Sequence, residues 1–173
     1  MKLRSAIRMF AALSVAASSV PAFAHATLEV KQVAIKSGYK MVLRVPHGCD
    51  GLPTLKVRVR IPEGYIGVKP MPKAGWTLET VRGKYAKEYD NESGKISEGV
   101  KEVTWTGKLL ADHYDEFVVN GSIAAGLEPN STLYFLTVQE CDNAAERWIE
   151  IPKTAGERLR FPAPGLKLLP AAN

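Results

Sequence analysis

The sequence lacks the motifs by which many enzyme classes are recognised. It has no G-x-S-x-G elbow, no H-E-x-x-H zinc motif, no P-loop and no G-x-G-x-x-G dinucleotide fingerprint. Histidine is scarce too, with only three in 173 residues. These absences argue against the hydrolases, metalloproteases and nucleotide-binding enzymes that carry such motifs. Any histidine-based chemistry must therefore depend on very few residues.

Helical periodicity is also missing. No window of useful length repeats apolar residues at helical spacing, and no apolar run after the N-terminal segment approaches the roughly 18 residues of a membrane span. Short segments instead alternate apolar and polar residues, and Gly, Pro and Asn separate them. Eight or nine such segments predict an all-β fold, a single antiparallel β-sandwich of the immunoglobulin/fibronectin-like type.

The alternation also sets boundaries and register. Residues 83–99 are polar and are predicted to be a long, mobile hairpin connection, and a helical turn is expected at residues 109–114. The predicted strands are residues 27–33, 39–45, 54–61, 65–68, 76–81, 100–106, 116–123, 132–139 and 147–151. The side chains predicted to face inward are Leu55, Val57, Val59, Trp76 and Leu78, and those predicted to face outward are Arg58 and Arg60.

Residues 1–24 have the pattern of an export signal. A basic start is followed by a short apolar run at residues 9–17 and by Ala22-x-Ala24, a small-residue cleavage site. We therefore predict that this segment is a cleaved signal peptide and that the mature protein is periplasmic or secreted. The alternative is an N-terminal helix that is buried or anchored in a membrane.

Charge is nearly balanced once the signal is set aside. The whole chain has 23 Lys and Arg against 18 Asp and Glu. Lys2, Arg4 and Arg8 lie in the signal, which leaves 20 basic against 18 acidic residues. This balance gives no indication of binding to nucleic acid or to an acidic membrane surface. Because no later apolar run is long enough to span a membrane, we expect no stable membrane insertion after cleavage.

The remaining residues have the length of one ordinary domain. We divide them into a sandwich at residues 25–152 and a Pro-containing C-terminal tail at residues 153–173. The tail is expected either to pack along the sandwich or to trail as a partly ordered arm.

Only two cysteines are present, Cys49 and Cys141. An even pair in an exported protein favours a disulfide. The alternative is a metal site with two thiolates, which usually needs the close C-x-x-C spacing that is absent here.

A cut after Ala24 would leave His25 as the first residue. A free N-terminal histidine offers its α-amine and its imidazole Nδ1 to one metal ion, and this compact pair of nitrogens suits Cu(II). An internal histidine cannot do this, because its backbone nitrogen is an amide. The alternative is that His25 is only the frayed start of a strand.

The chain resembles the YcnI-like family of exported copper-binding domains. The stretches that carry the resemblance are HATLE at residues 25–29, LRVPHGCDG at 43–51, RIPEG at 60–64, KPMPK at 69–73 with Gly75 and Trp76, HYDEF at 113–117, VQEC at 138–141 and ERW at 146–148. The resemblance implies a β-sandwich that holds Cu(II) through the N-terminal histidine, with a carboxylate completing the site and a tryptophan lying against the metal. Trp148 matches that tryptophan by position.

The third ligand stays open in the sequence. The family's carboxylate aligns with Tyr39, which cannot replace it simply. A disulfide between Cys49 and Cys141 would bring His47, Asp50 and Glu140 together, and each is a candidate ligand. For each of them the alternative is a residue in a solvated loop.

Together these features predict a copper-binding protein of copper homeostasis or trafficking, a chaperone or buffer and not an enzyme. Its partners would be the copper ion and other exported copper-trafficking proteins. One alternative is a copper-dependent oxidative enzyme, which would need His47 or His113 as a second histidine. Another is an interaction sandwich without metal.

Overall fold

A computed structural model describes residues 25–91, 94–154 and 156–171. The predicted signal peptide lies outside the described residues. In the described ranges there is no helix, and hence none that is long and apolar enough to cross a membrane. The strands are β1 (Thr27–Leu28), β2 (Gln32–Ala34), β3 (Gly38–Val45), β4 (Thr54–Arg60), β5 (Tyr65–Pro70), β6 (Thr77–Asn91), β7 (Gly94–Leu109), β8 (Asp115–Ile123), β9 (Thr132–Tyr134), β10 (Thr137–Cys141), β11 (Ala144–Trp148) and β12 (Gly165–Leu169).

The strands form two main sheets and a smaller third one. The four-stranded sheet has the order β1-β3-β8-β5, the five-stranded sheet β11-β10-β4-β7-β6, and the three-stranded sheet β2-β12-β9. The strand pairs are antiparallel except β2 with β12, which is parallel. The prediction of an all-β antiparallel sandwich is confirmed, with this one parallel pair added.

The register predicted for β4 is confirmed at its centre. Val57 and Val59 are fully buried in the core, Arg58 is half-buried and Arg60 is exposed. Alternate side chains of a strand point to opposite faces, so two buried valines place the basic residues on the outer face. The main core that these valines join is apolar and aromatic.

The start of β4 departs from the simple alternation. A register shift between Thr54 and Lys56 leaves Leu55 only half-buried and turns the Thr54 side chain inward, where it is fully buried. Trp76 and Leu78 are half-buried and pack against the core, as predicted.

Two predicted strands are each divided between sheets. The segment 27–33 becomes β1, which pairs with β3, and β2, which pairs with β12. The segment 132–139 becomes β9 in the small sheet and β10 in the five-stranded sheet. The regular alternation is lost in both segments, at residues 32–33 and in the apolar run at residues 133–136, but this loss alone does not show that the strand changes sheets.

Residues 83–99 belong to a hairpin, as predicted, but the prediction that they form a connection between shorter strands is wrong. Strands β6 and β7, of 15 and 16 residues, continue through this stretch as one long hairpin. Most of its side chains are exposed, which explains the polar composition. The sequence feature that could have indicated ordered strands here is the spaced pair Tyr85 and Tyr89. Their rings meet edge to face at 5.5 Å and pack with Ile66 and Ile96.

The helical turn expected at residues 109–114 is a tight turn instead. The His113 amide donates a hydrogen bond to the Leu110 carbonyl at 3.1 Å, and no helix follows. Residues 110–113 form this turn and reverse the chain between β7 and β8.

The C-terminal segment contributes to the folded domain. Strand β12 pairs with β2 and β9, and its Leu166 and Leu168 are fully buried in the core. The sandwich therefore includes chain well beyond residue 152.

Cys49 and Cys141 form the predicted disulfide. Their Cα atoms lie 6.1 Å apart, within the usual range for a bridge, and their sequence separation is 92. Cys49 belongs to the loop after β3, and Cys141 ends β10. The bond therefore fixes that loop against the five-stranded sheet.

Replacing both cysteines by serine should lower the free energy of unfolding by about 4–5 kcal/mol, because a crosslink of this span restricts the unfolded chain. Urea denaturation followed by far-UV circular dichroism measures the change. The unmodified protein unfolded in the presence of a reductant is the control, and it should lose the same amount. A loss below about 1 kcal/mol would contradict this account.

Candidate metal centre

His25 lies against Trp148. Their ring centroids are 5.7 Å apart and the ring planes are inclined by 58°. Trp148 is buried, whereas His25 is half-buried. The predicted approach of this tryptophan to the first histidine is therefore present in the structure, with one ring open to a cleft and the other shielded.

Strand β11 brings Trp148 to this place. It pairs with β10 in a register that sets Trp148 opposite Thr137 and Glu146 opposite Gln139. All four side chains therefore share one face of the sheet. On that face the Trp148 ring also meets Phe161 edge to face at 5.5 Å.

Gln139 holds the Trp148 indole. Its side chain is fully buried, and its Oε1 accepts a hydrogen bond from Trp148 Nε1 at 3.2 Å. Its Nε2 donates to the His47 carbonyl at 2.6 Å and to Thr54 Oγ1 at 2.7 Å. One amide group thus joins the loop of the disulfide to the tryptophan beside His25.

Glu140 does not join this group. Its position in β10 is one residue from Gln139, so it faces the other side of the sheet. There it forms ion pairs with Arg58 and, at 3.7 Å, with Lys56 on β4. The prediction that Glu140 lies with His47 and Asp50 is wrong, because the disulfide fixes the chain but not the parity of the strand.

His47 and Asp50 instead lie close enough to Glu146 for their charges to affect its pKa. Burial raises the pKa of Glu146 above its usual value, the charge of Asp50 raises it further, and His47 and Arg160 oppose the shift. Its Oε2 is buried and has no hydrogen-bond partner. Sequence reasoning noticed Glu146 only within the ERW stretch, although the period of two places it on the same face as Trp148.

His25 borders two clefts that are lined by described residues other than His47 and Asp50. The first cleft is lined by His25, Tyr134, Pro152, Glu157, Arg158, Leu159, Pro162 and Ala163. The second is lined by His25, Ala26, Thr27, Leu28, Lys31, Pro162, Ala163, Pro164 and Gly165. Glu157 is the only acidic residue in either set, and the sequence analysis missed it because residues 153–164 have no strand period.

Tyr39, aligned with the family's carboxylate, is a core residue. Its hydroxyl donates a hydrogen bond to the Val30 carbonyl at 2.7 Å, and its ring meets Tyr65 edge to face. Burial, and then the charge of Glu29, raise the pKa of the Tyr39 phenol well above its usual value. A neutral, buried phenol with its proton engaged is a poor ligand for Cu(II).

In the part of the chain that the structure describes, no three His, Cys, Asp or Glu side chains converge on a common point suited to a metal. A histidine brace does not need such a group, because one residue supplies two nitrogens. An imidazole beside a cleft that also holds a carboxylate therefore fits Cu(II) chemically.

Comparison with known proteins adds the family. Residues 25–168 match the model of the family described as a domain of unknown function, DUF1775, to which the YcnI-like proteins belong. A crystal structure of an uncharacterized protein from Nocardia farcinica, described as having an immunoglobulin-like fold, is similar with a TM-score of 0.62 and 23% identity over 84% of this chain and 98% of that one. At that identity it supports the fold alone. No curated protein matches the chain.

Gln139→Leu should loosen Trp148. The near-isosteric change removes the hydrogen bonds that Gln139 makes with the Trp148 indole, the His47 carbonyl and Thr54 Oγ1, and each buried group left unsatisfied costs about 1–3 kcal/mol. We expect the unfolding free energy to fall by at least about 2 kcal/mol. We also expect the Trp148 indole N–H resonance, identified by its loss in Trp148→Phe, to move upfield.

Thr137→Val is the matched control. It replaces a buried hydroxyl on the same face of β10, which donates a hydrogen bond to the Phe135 carbonyl and makes none to Trp148 among the described residues. It should leave the Trp148 indole resonance near its original position. An unmoved resonance in Gln139→Leu would show that Gln139 does not position the tryptophan.

Proposed function

This chain belongs to the DUF1775 family, and from that premise we propose that it is an exported protein that binds Cu(II) through a brace formed by His25. Processing after Ala24 would release the α-amine of His25, which then binds the ion together with imidazole Nδ1. The copper ion is the cargo, and the role is that of a chaperone or buffer in copper homeostasis. Other exported copper-trafficking proteins would be its partners.

The observation that carries the proposal is the place of His25. The residue that would become the N-terminus sits with its ring at a cleft and against buried Trp148. A tryptophan there would exclude water from one side of the metal. In a less polar surrounding the ion's interaction with its ligands is stronger.

The disulfide supports export. Bonds of this kind persist in oxidising compartments such as the periplasm and the exterior of the cell. Cys49 and Cys141 are bonded to each other, so neither supplies a free thiolate to a metal.

The positions of the other histidines favour binding over oxidative catalysis. An oxidative copper enzyme of the brace type would need a second imidazole beside His25. Neither His47 nor His113 lines a cleft at His25, and His113 is exposed, with Asp112 as its nearest acid at 3.8 Å. We therefore propose that the protein carries copper and is not an enzyme.

Three forms of the protein test the brace. They are the processed protein starting at His25, the same protein with His25→Ala, and the same protein with one extra residue before His25. Only the first offers both nitrogens, so the other two should bind Cu(II) at least about 100-fold more weakly, since even groups that merely support a ligand contribute about 10–100-fold to metal affinity. Competition titration with a chelator of known affinity measures this.

Tryptophan emission provides the control. Copper should quench the tryptophan emission of the processed protein more than that of its Trp148→Phe variant, which retains Trp76 and Trp105.

Equal affinity for Cu(II) in all three forms would refute the brace. Oxygen consumption with ascorbate and a polysaccharide would instead support the oxidative enzyme, and a protein that retains no metal after export would support a metal-free interaction domain.

A further inference from the structure

We infer that Glu157 supplies the carboxylate ligand of the copper site, an inference that rests on the proposed binding by His25. The resemblance to the family left this ligand open, and the disulfide region was the predicted source. The structure points elsewhere, to the segment between β11 and β12.

Glu157, an exposed residue, lines the first cleft together with His25. Of its lining residues, Glu157 and Tyr134 have side-chain oxygens, and Glu157 alone has an anionic one. Cu(II) bound by two nitrogens readily accepts a carboxylate oxygen as the next ligand. Arg158 lines the same cleft, so a bound dication would need an anion there to offset the repulsion between two cations.

The chain returns to His25 in a defined way. After β11, Glu150 forms a bridge with Pro162, and its Oε2 accepts a hydrogen bond from the Phe161 amide at 2.8 Å. Phe161 packs on Trp148. The intervening segment is thus tied at both ends beside Trp148, and Glu157 lies within it.

A local turn anchors the Glu157 side chain. Its Oε2 accepts a hydrogen bond from the Lys153 amide at 2.6 Å, and its own amide donates to the Thr154 carbonyl at 3.3 Å. A carboxylate has about four lone-pair positions on two oxygens, so one hydrogen bond leaves it able to bind a metal. The turn also reduces the freedom that the side chain would lose on binding.

The other nearby acids have different surroundings. Glu146 lies with His47 and Asp50, Glu140 pairs with Arg58 on the opposite face, and Glu150 holds the Phe161 amide. None of these acids lines a cleft at His25. Glu146 is the strongest rival, because it lies on the same strand face as Trp148 and has a buried oxygen without a hydrogen bond.

The test compares Glu157→Gln with Glu146→Gln and His25→Ala. The full chain is exported with its own N-terminal segment, and mass spectrometry establishes that the product begins at His25. Glu157→Gln keeps an oxygen that can accept the Lys153 hydrogen bond, and it removes only the charge and the anionic donor. Cu(II) affinity by chelator competition and the electron paramagnetic resonance spectrum are the readouts.

We expect Glu157→Gln to weaken Cu(II) binding at least about tenfold. The parallel g and copper hyperfine values should shift while the nitrogen couplings from His25 remain. Glu146→Gln should bind as the unchanged protein does. Glu157→Asp keeps the charge on a shorter side chain, and its Cu(II) affinity should lie between those of the unchanged protein and Glu157→Gln. Thermal unfolding checks that each variant is folded.

Two results would overturn the inference while leaving the brace intact. One is unchanged affinity and spectrum in Glu157→Gln, and the other is a loss confined to Glu146→Gln. If His25→Ala binds as tightly as the unchanged protein, the proposed copper function itself fails. The variants therefore separate the failure of the ligand from the failure of the site.

Discussion

The candidate site depends on the hydrogen bonds made by the buried side-chain amide of Gln139. This amide makes three hydrogen bonds at full burial, to the His47 carbonyl, Thr54 Oγ1 and the Trp148 indole. Each partner would otherwise be a polar group with its hydrogen-bonding capacity unmet in the interior, which is costly. The arrangement therefore specifies the distance between the disulfide loop and β11. It also sets the place of the tryptophan against which His25 rests.

Strand alternation explains how much was predictable. It gave the sandwich and the inward valines of β4, and two cysteines were enough for the disulfide. The meeting of Trp148 with His25 was instead what the resemblance to the family implied. Alternation could not exclude Glu140, because the sequence does not show that polar Gln139 faces inward, and apolar Val138 has the same parity as Glu140. Glu157 was beyond this reasoning, because it lies in a loop whose path depends on tertiary contacts such as that of Phe161 with Trp148.

The geometry suits an exchangeable site. His25 is half-buried and borders open clefts, whereas Trp148 behind it is buried and held by Gln139 and Phe161. A rigid wall on one side and an accessible ligand on the other would allow a metal to be held without being enclosed. This geometry supports the proposed role, in which the protein receives an ion and passes it on.

Selective nitrogen labelling tests the central claim most directly. The processed protein is prepared with ¹⁵N only at the backbone nitrogen of histidine, loaded with one equivalent of Cu(II) and examined by pulsed electron paramagnetic resonance. Of the three histidines, only an N-terminal His25 has an amine at that position. The account predicts that one strong nitrogen coupling to copper, that of the His25 α-amine, differs between the labelled and the unlabelled protein. A spectrum identical to that of the unlabelled protein would contradict it.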